Sequence, residues 1–360
     1  MASDQVDYGD AHHCQVSRDR RSCERLASGA DNSRYGAYSE NGFLVVNLNQ
    51  KSWQRCQQLL ETAESMQIRS RRAAGGSQIV DCGVHCPGSL EAGVALAEIC
   101  LAGLGCVELD QADPALWSGD AVTVTTDEPL RACMASQYAG WKISVGDYFA
   151  MGSGPMRAAY AGESLFQKIG YQEQATSIVG VLESGKLPPD EVCARIAEDC
   201  RVEPTDVTLL VAPTASLAGT VQVVARSLET ALHKMHSLGC DLKSIVRGIG
   251  SAPLPPVAPD DLTGIGWTND AVLYGGAVKI WMHGNDQDLV ELGRRIPSND
   301  SADFGRPFGD IFDAYERDFY KIDPLLFSPA AVQLVNVETG NCHDFGAVCP
   351  EVLQQSFGAG

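Results

Sequence analysis

From Asn47 onward the apolar and polar positions of the chain switch repeatedly between a helical and a strand-like period. In SWQRCQQLLETAESMQI, Leu59, Leu60, Ala63 and Met66 fall on one face and predict a helix. SQIVDCGV is a short β-branched run closed by glycine and predicts a strand, and EAGVALAEICLAGLG predicts a helix ended by Gly103 or Gly105. AVTVTTD reads as a strand and ACMASQYAGW leans towards helix. DVTLLVAP is an apolar strand stopped by Pro213. The following SLAGTVQVVARSLETALHKMHSLG is the longest helical pattern, ended at Gly239. GIGSAPLPPVAPDD predicts a proline-rich loop, and strand signals return at AVLYGGAVKIWMH and AVQLVNVETG.

Strands and helices so closely mixed predict an α/β (mixed α+β) fold, and 360 residues suffice for two such domains. The expected division is a flexible extension over 1–40, a first α/β domain over 41–160, a second over 161–325, and a C-terminal segment over 326–360 packing back on the first. Residues 1–40 are polar, nearly free of aliphatics and without periodicity. The longest apolar tract, Ala92 to Leu109, is interrupted by Glu98 and carries Gly93, Gly103 and Gly105, so it predicts a buried helix and turn. No membrane span and no secretory signal is read, and a cytoplasmic protein is expected.

With 27 Lys and Arg against 46 Asp and Glu, the net charge of −19 opposes binding to a phosphate backbone, and no basic stripe offsets it. Nucleic acid is therefore not an expected partner. The 13 cysteines form no CxxC and neither they nor the histidines show ligand spacing, so no metal is expected.

Three segments offer candidate chemistry. AMGSGPMRAA, containing Gly152, Ser153, Gly154 and Arg157, puts glycines and a proline before a helix-compatible stretch. It is either an anion contact or a plain turn, and it lacks the GK[ST] of a phosphate loop that a phosphate-binding transferase would need. Thr214 and Ser216 lie between a buried strand and the long helix, where strand ends tend to hold ligands but where capping alone also explains them. On the helix itself, Val224, Leu228, Ala231, Met235 and Leu238 form an apolar stripe, while Arg226, Glu229 and His233 share the opposite face. That face is either solvated, with a surface ion pair, or a carboxylate and guanidinium lining a cleft. Asn269 and Asp270 have an ordinary explanation in turn chemistry.

The strings DCGV, EAGVALAEICLAGLG, SQYAGW, FAMGSGPMRA, VLESGKLP, LLVAPTASLAGTVQVVARSLETALHK, GSAPLPPVA, TNDAVLYGG, DFYKIDPLLFSPA and the terminal SFG, in this order, resemble the methenyltetrahydromethanopterin cyclohydrolase family from about Asn47 to Gly358. The resemblance implies two mixed α/β domains with a substrate cleft between them, assembled as a homo-oligomer, a homotrimer. It also implies reversible hydrolysis of the methenyl bridge of a reduced pterin to the formyl form, in formaldehyde oxidation or methanogenesis. No cofactor is implied, because tetrahydromethanopterin is the substrate carrier. The family's catalytic pair in the pattern ARxxET falls on Arg226 and Glu229. Tyr138, Gly152, Ser153, Gly154, Arg157, Thr214, Ser216, Asn269 and Asp270 are the expected substrate-binding residues, with Arg157 or the backbone of its segment contacting the carrier's anionic portion. Tyr138 stands in SQYAGW where the archaeal pattern has lysine, and Trp267 where arginine is common; both changes remove positive charge. A non-catalytic pterin-binding or scaffolding relative is the alternative implied by those two departures.

Overall fold

A computed structural model describes residues 47–358 except residue 320. The extension expected over 1–40 lies outside the described residues. The described chain is built around two mixed sheets of six strands each. In chain order the strands are β1 (Arg69–Arg72), β2 (Gln78–Asp81), β3 (Gly105–Gln111), β4 (Asp120–Thr126), β5 (Trp141–Val145) and β6 (Tyr148–Ser153). They continue as β7 (Ile178–Glu183), β8 (Val207–Ala212), β9 (Ile245–Pro253), β10 (Ala277–Met282), β11 (Ala331–Asn336) and β12 (Cys342–Gly346). The first sheet runs β1-β2-β8-β7-β6-β5 and the second β12-β11-β10-β9-β4-β3. The α/β character expected from the sequence is thus present, but the sheets are interleaved along the chain. Residues 41–160 contribute strands to both, and β11 and β12 of the C-terminal segment extend the second sheet.

Period-two alternation explains the first sheet. On β8, Val207, Leu209 and Val211 enter one core with Val192 and Ile196 of the helix Asp190–Cys200. Leu210 and Ala212 enter the other with Leu59, Leu96 and Ile99 of the helices Leu48–Glu61 and Leu90–Cys100. A central strand buried on both faces needs an unbroken apolar run, which DVTLLVAP supplies. The parallel β2, β8 and β7 are its middle.

Four expectations differ from the structure. GIGSAP is not loop but the second half of β9, bonded to β4 and β10. Glycine there is dictated by a helix lying directly on the strand: a Cβ at Gly250 would stand 2.8 Å from the backbone nitrogen of Leu228, and one at Gly248 2.6 Å from a Leu228 methyl carbon. AVLYG is not strand but the end of the helix Asp261–Gly275, which is buried on so many sides that no amphipathic period marks it. The helix beginning at Leu48 stops at Glu61, well short of Ile68. Finally, the pattern over 216–239 is two helices, Leu217–Val224 and Ser227–Ser237, with Arg226 at φ −91°, ψ 6° as the junction.

Gly250→Ala should destabilise the protein by about 1–3 kcal/mol, the usual cost of overpacking. Urea unfolding would show this as a lower midpoint with an unchanged slope; an unchanged midpoint would mean that the helix does not rest on β9.

Candidate active site

The break between the two helices places Arg226 rather than leaving it on a continuous face. At the end of Leu217–Val224 the ladder tightens, with the Arg226 N–H donating to Val223 O at 3.0 Å, and the Arg226 carbonyl then accepts the first bond of the next helix from Thr230. The guanidinium turns inward to three acceptors. Nη1 donates to Gln137 O, and Nη2 donates to Ser153 Oγ at 3.1 Å and to Gln222 Oε1 at 2.9 Å. Gln137 ends a π-helical segment, Leu130–Gln137, and returns a bond from its amide to Ala225 O at 3.0 Å. Ser153 is the last residue of β6. Arg226 therefore joins the helix resting on the second sheet to a strand of the first.

Arg226 is 7% exposed and Glu229, in the first turn of Ser227–Ser237, is 5% exposed. The solvated-face reading is corrected by this burial: both sides of the helix are packed, Lys234 being buried as well, with its ammonium donating to Leu325 O. Among the described residues the Glu229 carboxylate makes no hydrogen bond or ion pair, so Arg226 acts on it across space rather than as a contact partner. Desolvation pushes the Glu229 carboxyl up to about 7, while the nearby guanidinium groups of Arg226 and Arg157 pull it down. Burial outweighs both cations and the favourable helix N-terminus. Around it, Gln137 Oε1, Arg226 Nε and Ser227 Oγ are buried without a hydrogen-bond partner. Unpaired buried polar atoms cost about 1–3 kcal/mol each, and of the five such atoms among the described residues three belong to Gln137, Arg226 and Ser227, the others being the Tyr148 hydroxyl oxygen and Ser328 Oγ.

Tyr138, immediately after the π-helical segment, stacks on His233 at 4.7 Å between centroids. The His233 ring is pushed down to about 4 by burial first, with His236 and Arg157 adding to it, so it is neutral at pH 7. Arg157 is fully buried; its Nε and Nη2 donate to Glu163 at 2.8 and 2.6 Å, and its Nη1 donates to Met134 O and Ser136 O. Against the expectation that Arg157 or the loop before it meets an anion stands the bonding of both within the protein. Every arm of the guanidinium is engaged with protein, the Gly154 N–H donates to Ser136 O, and the helix that follows, Met156–Tyr160, is short.

The other expected residues have contacts of their own. Ser216 caps the helix Leu217–Val224, and Thr214 donates to Glu183 at 2.5 Å at the carboxyl ends of β7 and β8. Asn269 bonds back to Ile265 O within its own helix. Asp270 is buried, accepting from Phe308 N at 2.7 Å and Ser356 Oγ at 2.5 Å, and it ties the C-terminal helix Pro350–Ser356 in place. Gly152 makes room for Ile143 and Met156. Trp267 packs near Phe357. The residues gathered with Glu229 are thus Arg226, Ser153, Gln137, Tyr138, His233 and Arg157. Gln137 and Gln222 were not singled out from the sequence, and only the spacing of Gln222 four residues before Arg226 could have signalled it. Two hollows, one of about 430 Å³ lined by Arg55, Leu59, Met66, Val94 and Leu109 and one of about 120 Å³ lined by Lys168, His236 and Lys243, lie on other residues than Glu229. Among the described residues no three His, Cys, Asp or Glu side chains converge as metal ligands do, and no helix is long and apolar enough to cross a membrane.

A family model described as cyclohydrolase (MCH) matches residues 47–357, which contain this whole arrangement. The chain belongs to the methenyltetrahydromethanopterin cyclohydrolase family. Among its relatives, the methenyltetrahydromethanopterin cyclohydrolase of Xanthobacter autotrophicus is 47% identical over 83% of this chain and 89% of its own length. That of Methylobacillus flagellatus is 44% identical over 88% of this chain and 96% of its own. The enzyme of the same name from Methanococcoides burtonii is 39% identical over 87% and 99%. The family resemblance read from the sequence motifs is borne out by these matches.

A carboxyl raised from 4.5 to about 7 on folding favours the folded state fully below the unfolded value, and that contribution is lost as pH rises through about 7. Glu229→Gln removes the effect. The variant should gain stability over wild type as pH goes from 5 to 8, by up to about 3 kcal/mol. Parallel thermal or urea unfolding at the two pH values checks it, and a pH-independent difference would place Glu229 in contact with water.

Proposed function

We propose that this chain hydrolyses the methenyl bridge of methenyltetrahydromethanopterin, reversibly, to the formyl form, with Glu229 as the acid–base group and Arg226 as its electrostatic partner. The observation that carries the reading is the Glu229 carboxylate, buried, unbonded and poised near neutral pH by competition between desolvation and two guanidinium groups. Relatives named for this activity over almost their full length favour it over a non-catalytic scaffold.

The bridging carbon lies between two nitrogens in an amidinium-like cation and is already electrophilic, so the protein's task is to place and deprotonate water. Glu229 takes one proton as the water oxygen bonds to carbon. The protonated Glu229 then gives that proton to one ring-side nitrogen as the carbon–nitrogen bond breaks. The remaining hydroxyl proton leaves to solvent as the formyl C=O forms. A group near pH 7 serves both transfers, because neither protonation state is strongly preferred. Arrival of a cationic substrate beside Glu229 stabilises the carboxylate and readies the base. A neutral His233 adds no repelling charge.

Substrate held between the sheet-centred halves, assembly as a homotrimer and independence of metal belong to the same proposal. They rest on the family's pattern and, for metal, on the donor set around Glu229, which is one carboxylate with guanidinium and amide groups. Dialysis against a strong chelator should leave the rate unchanged, and a loss restored by zinc would reject the metal-free mechanism.

Loss of the methenyl chromophore, corrected for spontaneous hydrolysis, measures turnover. Glu229→Gln should lower it about a hundredfold to ten-thousandfold. In Arg226→Ala the acid limb of the pH–rate profile should move upward as well, since a cation that favours the carboxylate is gone. A Glu229→Gln protein within about threefold of wild type would assign the base elsewhere.

A further inference from the structure

We propose that Arg157 and Glu163 are positioning residues for this reaction: a buried clamp that fixes the end of the π-helical segment and, through it, the Arg226 guanidinium. The assignment rests on the proposed cyclohydrolase activity only for its kinetic consequence.

The geometry forms one connected path. Glu163 holds two arms of Arg157 in a fork, and the third arm donates to Met134 O and Ser136 O at 3.1 and 3.2 Å. Those carbonyls lie in the last turn of Leu130–Gln137, where a helix has acceptors to spare. The next carbonyl, that of Gln137, accepts from Arg226 Nη1. The residue after it, Tyr138, has its ring 4.9 Å from the Arg157 guanidinium carbon and stacks on His233, one turn beyond Glu229. A fully buried guanidinium is tolerated only if every arm is matched, so the clamp cannot be loosened without leaving a charge unpaired.

Gly140 gives an independent sign that the fork is built in. A Cβ there would stand 2.2 Å from Glu163 Oε2 and 2.5 Å from the Tyr138 ring. Glycine in SQYAGW is what lets the carboxylate reach Arg157.

A clamp and a substrate contact separate kinetically. Loss of a contact that binds substrate and transition state alike raises KM, whereas a displaced catalytic group lowers kcat. Arg157→Lys keeps the charge but not the fork. It should lower kcat about tenfold to a hundredfold with KM within about twofold, and Glu163→Gln should show the same pattern more weakly. Thermal midpoints confirm that both variants are folded at the assay temperature. Hydrogen exchange supplies a readout that does not need turnover: in Arg157→Lys, amides of residues 130–140 and 225–231 should exchange faster while the β8 amides do not change. Unaltered exchange in those two segments, or a raised KM with normal kcat, overturns the clamp. Loss of turnover that tracks loss of folded protein does so too. An inactive wild-type protein would instead overturn the proposed activity, and the exchange experiment would still decide the clamp.

Discussion

The Arg226 guanidinium is the constraint on which the rest of the site depends. It reaches a backbone carbonyl of the π-helical segment, a hydroxyl at the end of β6 and an amide on the preceding helix, so three separately folded pieces meet on one planar cation. An ammonium could not serve, since it lacks a fixed fork with which to meet acceptors in different directions. The helix break at 225–226 follows the same logic. A continuous helix would keep Arg226 on a smooth face, whereas the tightened turn directs it inward and starts a new helix with Glu229 in its first turn.

That second helix is set in depth by its neighbours. Gly248 and Gly250 let it settle on β9, and Lys234 pins its far side to the carbonyl of Leu325. A carboxylate on a helix pressed this closely against a sheet cannot keep its water. The upward shift of Glu229 is therefore a consequence of packing, and the two arginines moderate it rather than create it.

Much of this was legible from residue order. The β8 run, the strands β4 and β11, and the pairing of Arg226 with Glu229 were visible because each has a local signature: an apolar run, alternation, or spacing by one turn. What escaped the sequence depended on packing that a local pattern does not carry. GIGSAP reads as loop because glycine and proline disfavour strands, yet it forms part of β9 because the helix above leaves no room for larger side chains. AVLYG reads as strand because of its valine, leucine and tyrosine, but Asp260 caps the helix that carries it. Arg157 looks like an anion contact after a glycine-rich turn, and although Glu163 is only six residues on, the fork between them depends on Gly140, whose missing side chain admits the carboxylate.

The charge arrangement also accounts for the selectivity expected of such a site. A cationic amidinium gains from a carboxylate, yet a fully ionised Glu229 would be costly to keep buried in the free protein. In the proposed reaction a carboxyl poised near 7 avoids that cost while empty and would become an anion as the cation arrives, which would make binding and activation of the base one event. Arg226 and Arg157 lie close enough to favour the ionised form, but their guanidinium groups are held by Ser153, Gln222, Glu163 and backbone carbonyls and so cannot collapse onto the carboxylate. A direct ion pair would have lowered the proton affinity too far for the return transfer to the leaving nitrogen. In the proposed mechanism, the separation of Glu229 from its two cations is thus what would let one carboxyl group act first as base and then as acid.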